Sequence, residues 1–399
     1  LKIVFFTFYY PPDLCAGSFR AISLAKFLSR RLGVNDELHI ITTHPNRYQN
    51  HRVKADNIEI DGKVTVHRIS VPGHKSGMLS QTRTFSVYAL AAYKLCKNLG
   101  PNFIIGTTSR LMTGVLTGIS ARRLGCRYFI DLRDIFSETI SDLLSRKSKL
   151  LGFLSKSTFS FLEKWLFNKA SGVNVVSEGF PRYFRDKGID TSDWLFFPNG
   201  VDREFIGLSS IEKNRQNSVK TILYAGNIGS GQGLETILPH IAKLIGNKYR
   251  FLIVGDGSTN SLLRSAIKSE NVKNIEILPP VKREKLIEYY QDADILFLHL
   301  NDIPAFRRVL PSKIFEYAAL GKPIVAGLSG YSAQFLSDHV PYACLFNPGD
   351  TVGAESCILE AINIDISEKA VEGFIKIYSR EYIMDKMANQ LMTIMDDSK

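Results

Sequence analysis

The chain has 399 residues, enough for two domains or three, and its 45% hydrophobic and 22% charged content excludes a disordered or fibrous protein. The formal charge is +11, and it belongs to one half. Residues 1–200 hold 28 Lys and Arg against 15 Asp and Glu, while residues 201–399 hold 22 against 24. A basic half suits an anionic partner, whether phosphate, nucleic acid or acidic lipid.

Five cysteines (Cys15, Cys96, Cys126, Cys344, Cys357) are scattered without a Cys-x-x-Cys pair, so neither a disulfide framework nor a zinc site is expected. A reducing, cytoplasmic compartment follows as an expectation. No export signal is expected, because the apolar start is short and Pro11-Pro12 ends it. Leu1 stands where an initiator Met ordinarily does, so numbering is expected to begin after it. The longest greasy region, 150–167, is broken by Lys156, Glu163 and Lys164, too short and too charged for the roughly 20 apolar residues of a membrane span.

In chain order, Ile3 to Phe8 reads as a buried strand, followed by a loop and a helix over about 18–31 with Ala21, Leu24, Ala25 and Leu28 on one face. Strands follow at 38–42 and 64–69, then a helix at 84–99, a strand at 103–105 and a helix at 112–124. The strand at 128–132 ends in Asp131-Leu132-Arg133-Asp134, and strands at 173–176 and 194–197 close this half. Residues 198–219 read as a polar linker opened by the turn Pro198-Asn199-Gly200. The alternation restarts with strands at 221–225, 251–254, 275–278, 295–298 and 324–326. Helices lie at 234–245, after 257, at 283–291 and from near Pro311, and the stretch 351–396 reads as helical. Strands separated by helices imply parallel sheets with right-handed crossovers. The expected fold is therefore α/β, with two Rossmann-like domains facing a central cleft. The boundaries are 1–200 and 201–375, with a final helix at 376–399 packing back toward the first domain. Ligands of such sheets bind beyond the carboxyl ends of the strands, where the turns after Phe8, Ala225 and Val254 lie.

Two motifs carry chemistry. Gly226 to Gly233 follows a strand and opens a helix, so its glycines let backbone amides approach an anion. It matches neither Gly-x-Gly-x-x-Gly nor a Walker loop, which lowers the odds of a dehydrogenase or an ATPase. A tight turn without ligand fits it equally well. In Pro311 to Pro323, Pro311 is expected in the first helical turn, leaving free N–H groups beside Ser312 and Lys313, a set that suits a diphosphate. Glu316 follows one turn later and can accept hydrogen bonds from ribose hydroxyls. Outside this context the stretch reads as a solvated Lys–Glu face.

Those two motifs, with Tyr10-Pro11-Pro12 before Gly17-Ser18, Val176 to Phe180, Pro198 to Asp202, Val254 to Gly257 and Ala293-Asp294-Ile295, resemble glycosyltransferase family 4 over almost the whole chain. The resemblance implies the GT-B fold. Gly229 with Gln232 to Glu235, and Pro311-Ser312-Lys313, look like the branch of bacterial O-antigen and capsule transferases that includes N-acetyl-fucosaminyltransferases. Of the family's Glu-x7-Glu pair only Glu316 is kept, and Arg308 stands in the first place. Asn227 and Gln232 occupy positions where the family often has Arg and Lys. The resemblance implies that Gly17, Gly226, Asn227, Gln232, Gly255, Val281, Arg308, Pro311, Ser312, Lys313 and Glu316 hold the nucleotide sugar. Lys313 and Arg308 would supply positive charge to its diphosphate.

Asp131, Arg133 and Asp134, at a strand end, are candidates for orienting donor or acceptor, with a helix cap and surface ion pair as the equal alternative. Asp292-Ala293-Asp294 precedes its strand and reads as structural. The histidines lack metal-ligand spacing, and His299 reads as packed or exposed. Leu143 to Ala170 sets Arg146, Lys147, Lys149, Lys156, Lys164 and Lys169 against one acid, Glu163, among many Leu and Phe, which reads as an anchor on an anionic bilayer.

The expectation is thus a retaining transferase. It takes a sugar from a UDP-sugar to a polyprenyl-diphosphate-linked acceptor, with no metal and no nucleic acid, peripheral on the inner face of the plasma membrane. A nucleotide-sugar epimerase of the same fold and a basic nucleic-acid binder are the rival readings.

Overall fold

The computed structural model describes residues 1–13, 15–45, 54–72, 78–108, 111–135, 149–208 and 219–396. The chain divides into two compact units, Leu1–Asn199 with the segment from Arg380, and Gly200–Ser379.

The first unit runs β1 (Lys2–Phe6), α1 (Ala16–Ser29), β2 (Glu37–Thr43), β3 (Ile58–Asp61), β4 (Val64–Ile69), α2 (Met78–Leu99), β5 (Phe103–Thr107) and α3 (Leu111–Leu124). It continues with β6 (Arg127–Leu132), α4 (Lys149–Phe167), β7 (Gly172–Val175), α5 (Phe180–Arg185) and β8 (Leu195–Phe196). Its sheet has the order β3-β4-β2-β1-β5-β6-β7-β8. The second unit holds β9 (Lys220–Asn227), α6 (Leu234–Ile245), β10 (Tyr249–Asp256), α7 (Asn260–Ser269), β11 (Ile275–Leu278), α8 (Arg283–Asp292) and β12 (Ile295–His299). Then come α9 (Lys313–Ala319), β13 (Ile324–Gly327), α10 (Tyr331–His339), β14 (Ala343–Phe346), α11 (Thr351–Ala361) and α12 (Glu368–Tyr378). Its order is β11-β10-β9-β12-β13-β14. Helix α13 (Arg380–Asp396) returns to the first unit and packs on α1, where Arg31 bonds the Asp385 carboxylate at 2.7 Å.

Each sheet reverses its direction of growth once, between β1 and β5 in the first unit and between β9 and β12 in the second. Loops at such a point splay apart and leave a crevice beyond the strand ends. The strands flanking both crevices are continuous apolar runs, because helices cover both faces. Ile3 to Phe6 and Thr221 to Ala225 are buried throughout. Helix α6 shows why the helices dock. Leu234, Ile237, Leu238, Ile241, Ala242 and Ile245 recur at three- and four-residue spacing and are buried on Phe251, Ile253 and Ile295. Each large aliphatic side chain so buried contributes about 1.5–3 kcal/mol.

Several expectations change. The sheets are not wholly parallel, since β3 pairs antiparallel with β4 through a hairpin at Gly62, whose φ of +58° suits glycine. All four residues of β3 are exposed, so no buried run marked it. The stretch 351–396 is helical as expected and is divided into three helices. Helix α2 begins at Met78 rather than 84, and α5, α10 and β14 had no signal of their own. The cysteines are not all unpaired. Cys344 on β14 and Cys357 on α11 form a disulfide with Cα atoms 5.5 Å apart, because that helix packs on that strand, which spacing along the chain does not reveal. Residues 209–218 of the expected linker lie outside the described residues.

Candidate active site

In the second unit, the loops after β9 and β12 meet at the crevice. The turn from Gly226 to Gly233 is tied down from β12. Asn301 donates its backbone N–H to Gly231 O at 2.9 Å and its side-chain amide to Ser230 O at 2.7 Å. His299 is buried, and its two ring nitrogens bridge two loops. Nε2 lies 3.2 Å from the Gly349 amide, which can only donate, so the ring proton sits on Nδ1 and is given to Gln232 O at 2.6 Å. Burial lowers the pKa of this imidazole, with the Gln232 carbonyl and Glu235 pulling the other way.

The other wall is α9. Lys313, its first residue, reaches over the turn, and a Cβ placed on Gly226 would stand 2.9 Å from Lys313 Nζ and collide with its Cε. Only glycine leaves room for this ammonium. Gly255 is the register partner of Gly226 on β10, and a side chain there would strike the Gly226 carbonyl. Lys313 makes no hydrogen bond or ion pair among the described residues. Desolvation lowers its pKa, Glu316 opposes this, and Arg283 adds to it. One turn on, Glu316 accepts a hydrogen bond from the Tyr290 hydroxyl at 3.2 Å through Oε2, which leaves Oε1 for another donor. A loose cation and an oriented carboxylate thus sit side by side, the chemistry needed for a diphosphate next to a sugar bearing hydroxyls.

In the first unit the corresponding crevice also sets a cation on a glycine. A Cβ on Gly17 would stand 2.7 Å from a terminal nitrogen of Arg133. This guanidinium also donates to Asn199 Oδ1 at 3.2 Å, and its backbone N–H to Thr108 Oγ1 at 3.0 Å. Beneath it, Arg20 grips Asp131 with two hydrogen bonds of 2.8 Å and donates to the carbonyls of Phe197 and Pro198.

Residues 24–200 match the family described as Glycosyl transferase 4-like domain, and residues 219–363 match Glycosyl transferases group 1. The chain is a glycosyltransferase of the GT-B type. WcaI of Escherichia coli (strain K12), named for colanic acid biosynthesis glycosyl transfer, is 23% identical over 96% of this chain and 95% of its own length. Sucrose-phosphate synthase from Thermosynechococcus elongatus superposes with a TM-score of 0.74 at 15% identity, covering all of both chains. Anabaena HepE in complex with UDP-glucose does so at 0.67 and 15%, covering 98% of this chain and 99% of its own.

Within this glycosyltransferase the sequence candidates fare unequally. Gly226, Lys313 and Glu316 converge. Asn227 and Gln232 spend their side chains on each other, since the Asn227 amide and the Gly229 N–H both donate to Gln232 Oε1, at 2.9 and 3.2 Å. They shape the turn. Helix α9 starts at Lys313 with Ser312 as its cap, so Pro311 precedes the helix instead of opening it. Of the first N–H groups, Ile314 bonds to Pro311 O and Phe315 to Ser312 O. The Lys313 ammonium adds the positive charge beside the backbone N–H groups of Ser312 and Lys313. Arg308 ends a short 3₁₀ turn between β12 and α9, and Val281 lies on the loop after β11, at the sheet's far edge.

Asp131, a candidate for orienting donor or acceptor or for an ion pair, forms the ion pair, buried in the core with Arg20. Burial works to raise its pKa, yet the charge and hydrogen bonds of Arg20, with Asn174 adding one at 2.7 Å, hold it below the usual carboxylate range. It supports Arg133 rather than touching substrate. Asp134 keeps a solvent-facing surface, but the surrounding protein displaces enough water to raise its carboxyl to about 6 against the pull of Arg133. Asp294 binds Lys220 and the Thr221 N–H, a structural role. Sequence reasoning missed Asn301, Tyr290 and Arg283. Their only sequence signals are positions just after a strand or on the helix before one.

Of the basic stretch 143–170, residues 143–148, with Arg146 and Lys147, lie outside the described residues. Its one acid, Glu163, is buried and bonds Lys187 Nζ at 2.6 Å, while Phe161 is 71% exposed. Among the described residues no helix is long and apolar enough to cross a membrane, and no three His, Cys, Asp or Glu side chains converge as for a metal.

Proposed function

We propose that this glycosyltransferase moves a sugar, an N-acetylated amino sugar in our reading, from a UDP-sugar to a polyprenyl-diphosphate-linked acceptor during assembly of a surface polysaccharide, with retention of configuration. The observation that carries the donor assignment is Lys313. Its unpartnered ammonium lies on Gly226, with Glu316 one turn away, at the crevice of the second unit. The likeness to HepE bound to UDP-glucose supports a UDP-sugar, and the likeness to WcaI supports a role in polysaccharide assembly.

In this reading Glu316, oriented by Tyr290, accepts hydrogen bonds from the ribose hydroxyls. Lys313 offsets the charge that grows on the diphosphate as the anomeric C–O bond breaks. Such a preplaced charge typically contributes about 2.7–4 kcal/mol to the transition state. The acceptor hydroxyl forms the new bond to the anomeric carbon on the face the leaving group vacates, and gives its proton to a leaving phosphate oxygen. Configuration is kept and no protein base is required. The enzyme would work at the inner face of the plasma membrane, where such acceptors are presented.

A mass-spectrometric screen of nucleotide sugars against lipid-linked acceptors tests this. A UDP-sugar should be consumed only with acceptor present, with the anomeric configuration retained. Conversion of the nucleotide sugar alone would replace transfer with epimerisation, and tighter binding of GDP than UDP would overturn the donor assignment.

A further inference from the structure

The first unit carries a helical layer that is strongly basic. Helices α2, α3 and α4 connect β4 to β5, β5 to β6 and β6 to β7, all stepping across the sheet in the same direction, whereas α1 connects β1 to β2 in the opposite one. Right-handed crossovers therefore place α2, α3 and α4 in one layer and α1 in the other. The contacts agree. Helix α3 touches both α2 and α4, with Gly118 backed by Trp165 and Leu166, while α1 packs with α13.

The three helices of that layer hold eight Lys and Arg and a single acid, Glu163, which faces inward to Lys187. The opposite layer is mixed, with Glu381, Asp385 and Asp396 against Arg380 and Lys386 on α13, and Lys26 with the buried Arg20 on α1. The outward residues form three stripes. Among neutral polar residues such as Gln81, Ser86 and Asn98, the charged and large apolar ones are Arg83, Val87, Leu90, Lys94 and Lys97 on α2, Met112, Ile119, Arg122 and Arg123 on α3, and Phe161 and Lys164 on α4. Leu90 is 74% exposed and Phe161 71%, and none of the stripe cations makes an ion pair among the described residues. Cations and large apolar side chains therefore share one solvent face that offers no acid among the described residues.

We propose that the α2–α3–α4 face docks this protein on an anionic lipid bilayer, with the cations on the headgroups and Leu90 and Phe161 sunk to the acyl boundary. The apolar members select the occupant. A nucleic-acid backbone satisfies the cations but has no use for exposed Leu, Met, Ile and Phe, whereas an interfacial surface needs both kinds. The surface joins Lys149–Phe167 to the two helices that precede it. It rests on the proposed lipid-linked acceptor only for its purpose, because its charge and exposure stand without a substrate.

The test is flotation of the full chain with vesicles of phosphatidylcholine alone and with about one-third phosphatidylglycerol, at low and high salt. Each cation near an anionic surface strengthens partition about fivefold, so Arg83→Gln, Lys94→Gln and Arg122→Gln together should weaken it about a hundredfold at low salt. Leu90→Ser with Phe161→Ser should weaken it about tenfold or more at either salt. Lys26→Gln on α1 should change nothing. All these positions are exposed, so thermal melting and calorimetric UDP binding should match wild type. Wild-type binding by the triple variant, equal binding to both vesicle types, or tighter binding to a DNA or RNA oligonucleotide than to the anionic vesicles would each overturn the proposal. Loss of UDP binding by the wild type would sink the donor reading and leave this one standing.

Discussion

The two crevices repeat one device with opposite settings. In each, a cation occupies the space a side chain would take on a loop glycine, Arg133 over Gly17 and Lys313 over Gly226. Arg133 is anchored by Asn199 and stands above a buried Arg20–Asp131 pair, and a guanidinium does not lose its proton near neutrality. Lys313 is unpartnered, partly desolvated and titratable. The difference teaches where each unit puts its electrostatic energy. The first unit spends charge on holding its own framework, and the second leaves charge available for something that arrives and departs.

The sharpest way to break this comparison is to remove the anchor of the first unit. Asp131→Ala strands the Arg20 guanidinium in the core without a counter-ion and leaves an Asn174 donor unpaired. Breaking a buried pair in this way costs about 3–5 kcal/mol. Denaturant unfolding should show that loss, and Asp131→Ala melting like wild type would mean the pair does not support the framework.

Lys313→Ala should do the reverse. Folding stability should hold or rise slightly, because an unpaired desolvated ammonium disappears, while turnover at saturating donor falls about a hundred- to a thousandfold. Gly226→Ala should reproduce part of that loss by displacing the same ammonium. If both variants turn over normally, Lys313 is not the charge that meets the leaving diphosphate.

Much of this contrast was legible in the residues, but not its sign in the first unit. The strands and helices were readable because apolar runs and three- to four-residue spacing reflect burial directly, and α6 and β11 appear with the expected bounds. Lys313 and Glu316 stood out because one helical turn puts them side by side. Asp131 stayed open between two readings because its partner, Arg20, lies 111 residues away, and a carboxylate at a strand end looks the same whether it meets substrate or a buried guanidinium. His299 and Asn301 could not be assigned, since their partners are backbone atoms of another loop. Strand β3 escaped because an exposed edge strand has no apolar face to signal it.

The comparison is sharpened at Glu316. If the second unit's free groups serve a nucleotide, Glu316→Ala should weaken UDP binding by about 1.5–3 kcal/mol in calorimetry, the usual worth of a hydrogen bond to a charged group. Tyr290→Phe should lose less, because it removes only the group that orients the carboxylate. Equal affinity of wild type and Glu316→Ala for UDP would detach the ribose from this residue.

The smallest expected effect is set by pH, and it separates the two groups that shape the second crevice. His299 is satisfied as a neutral ring, with Nδ1–H on Gln232 O and Nε2 accepting from Gly349. A second proton on Nε2 would point at the Gly349 N–H, break that contact and disturb the ring whose Nδ1–H holds Gln232 O in the glycine turn. Because burial lowers its folded pKa, the unfolded chain binds this proton more readily than the folded one below the ordinary histidine value of about 6.5. Stability is therefore complete above that pH and declines as pH falls through it toward the lower folded pKa. Lys313 acts on the alkaline side, where loss of its proton should weaken the diphosphate. UDP affinity should accordingly fall on both sides of neutrality. In His299→Leu the acid limb should flatten while the alkaline limb stays, and in Lys313→Ala the alkaline limb should vanish while the acid limb stays. An acid limb that survives in His299→Leu would assign the turn's acid sensitivity to another group.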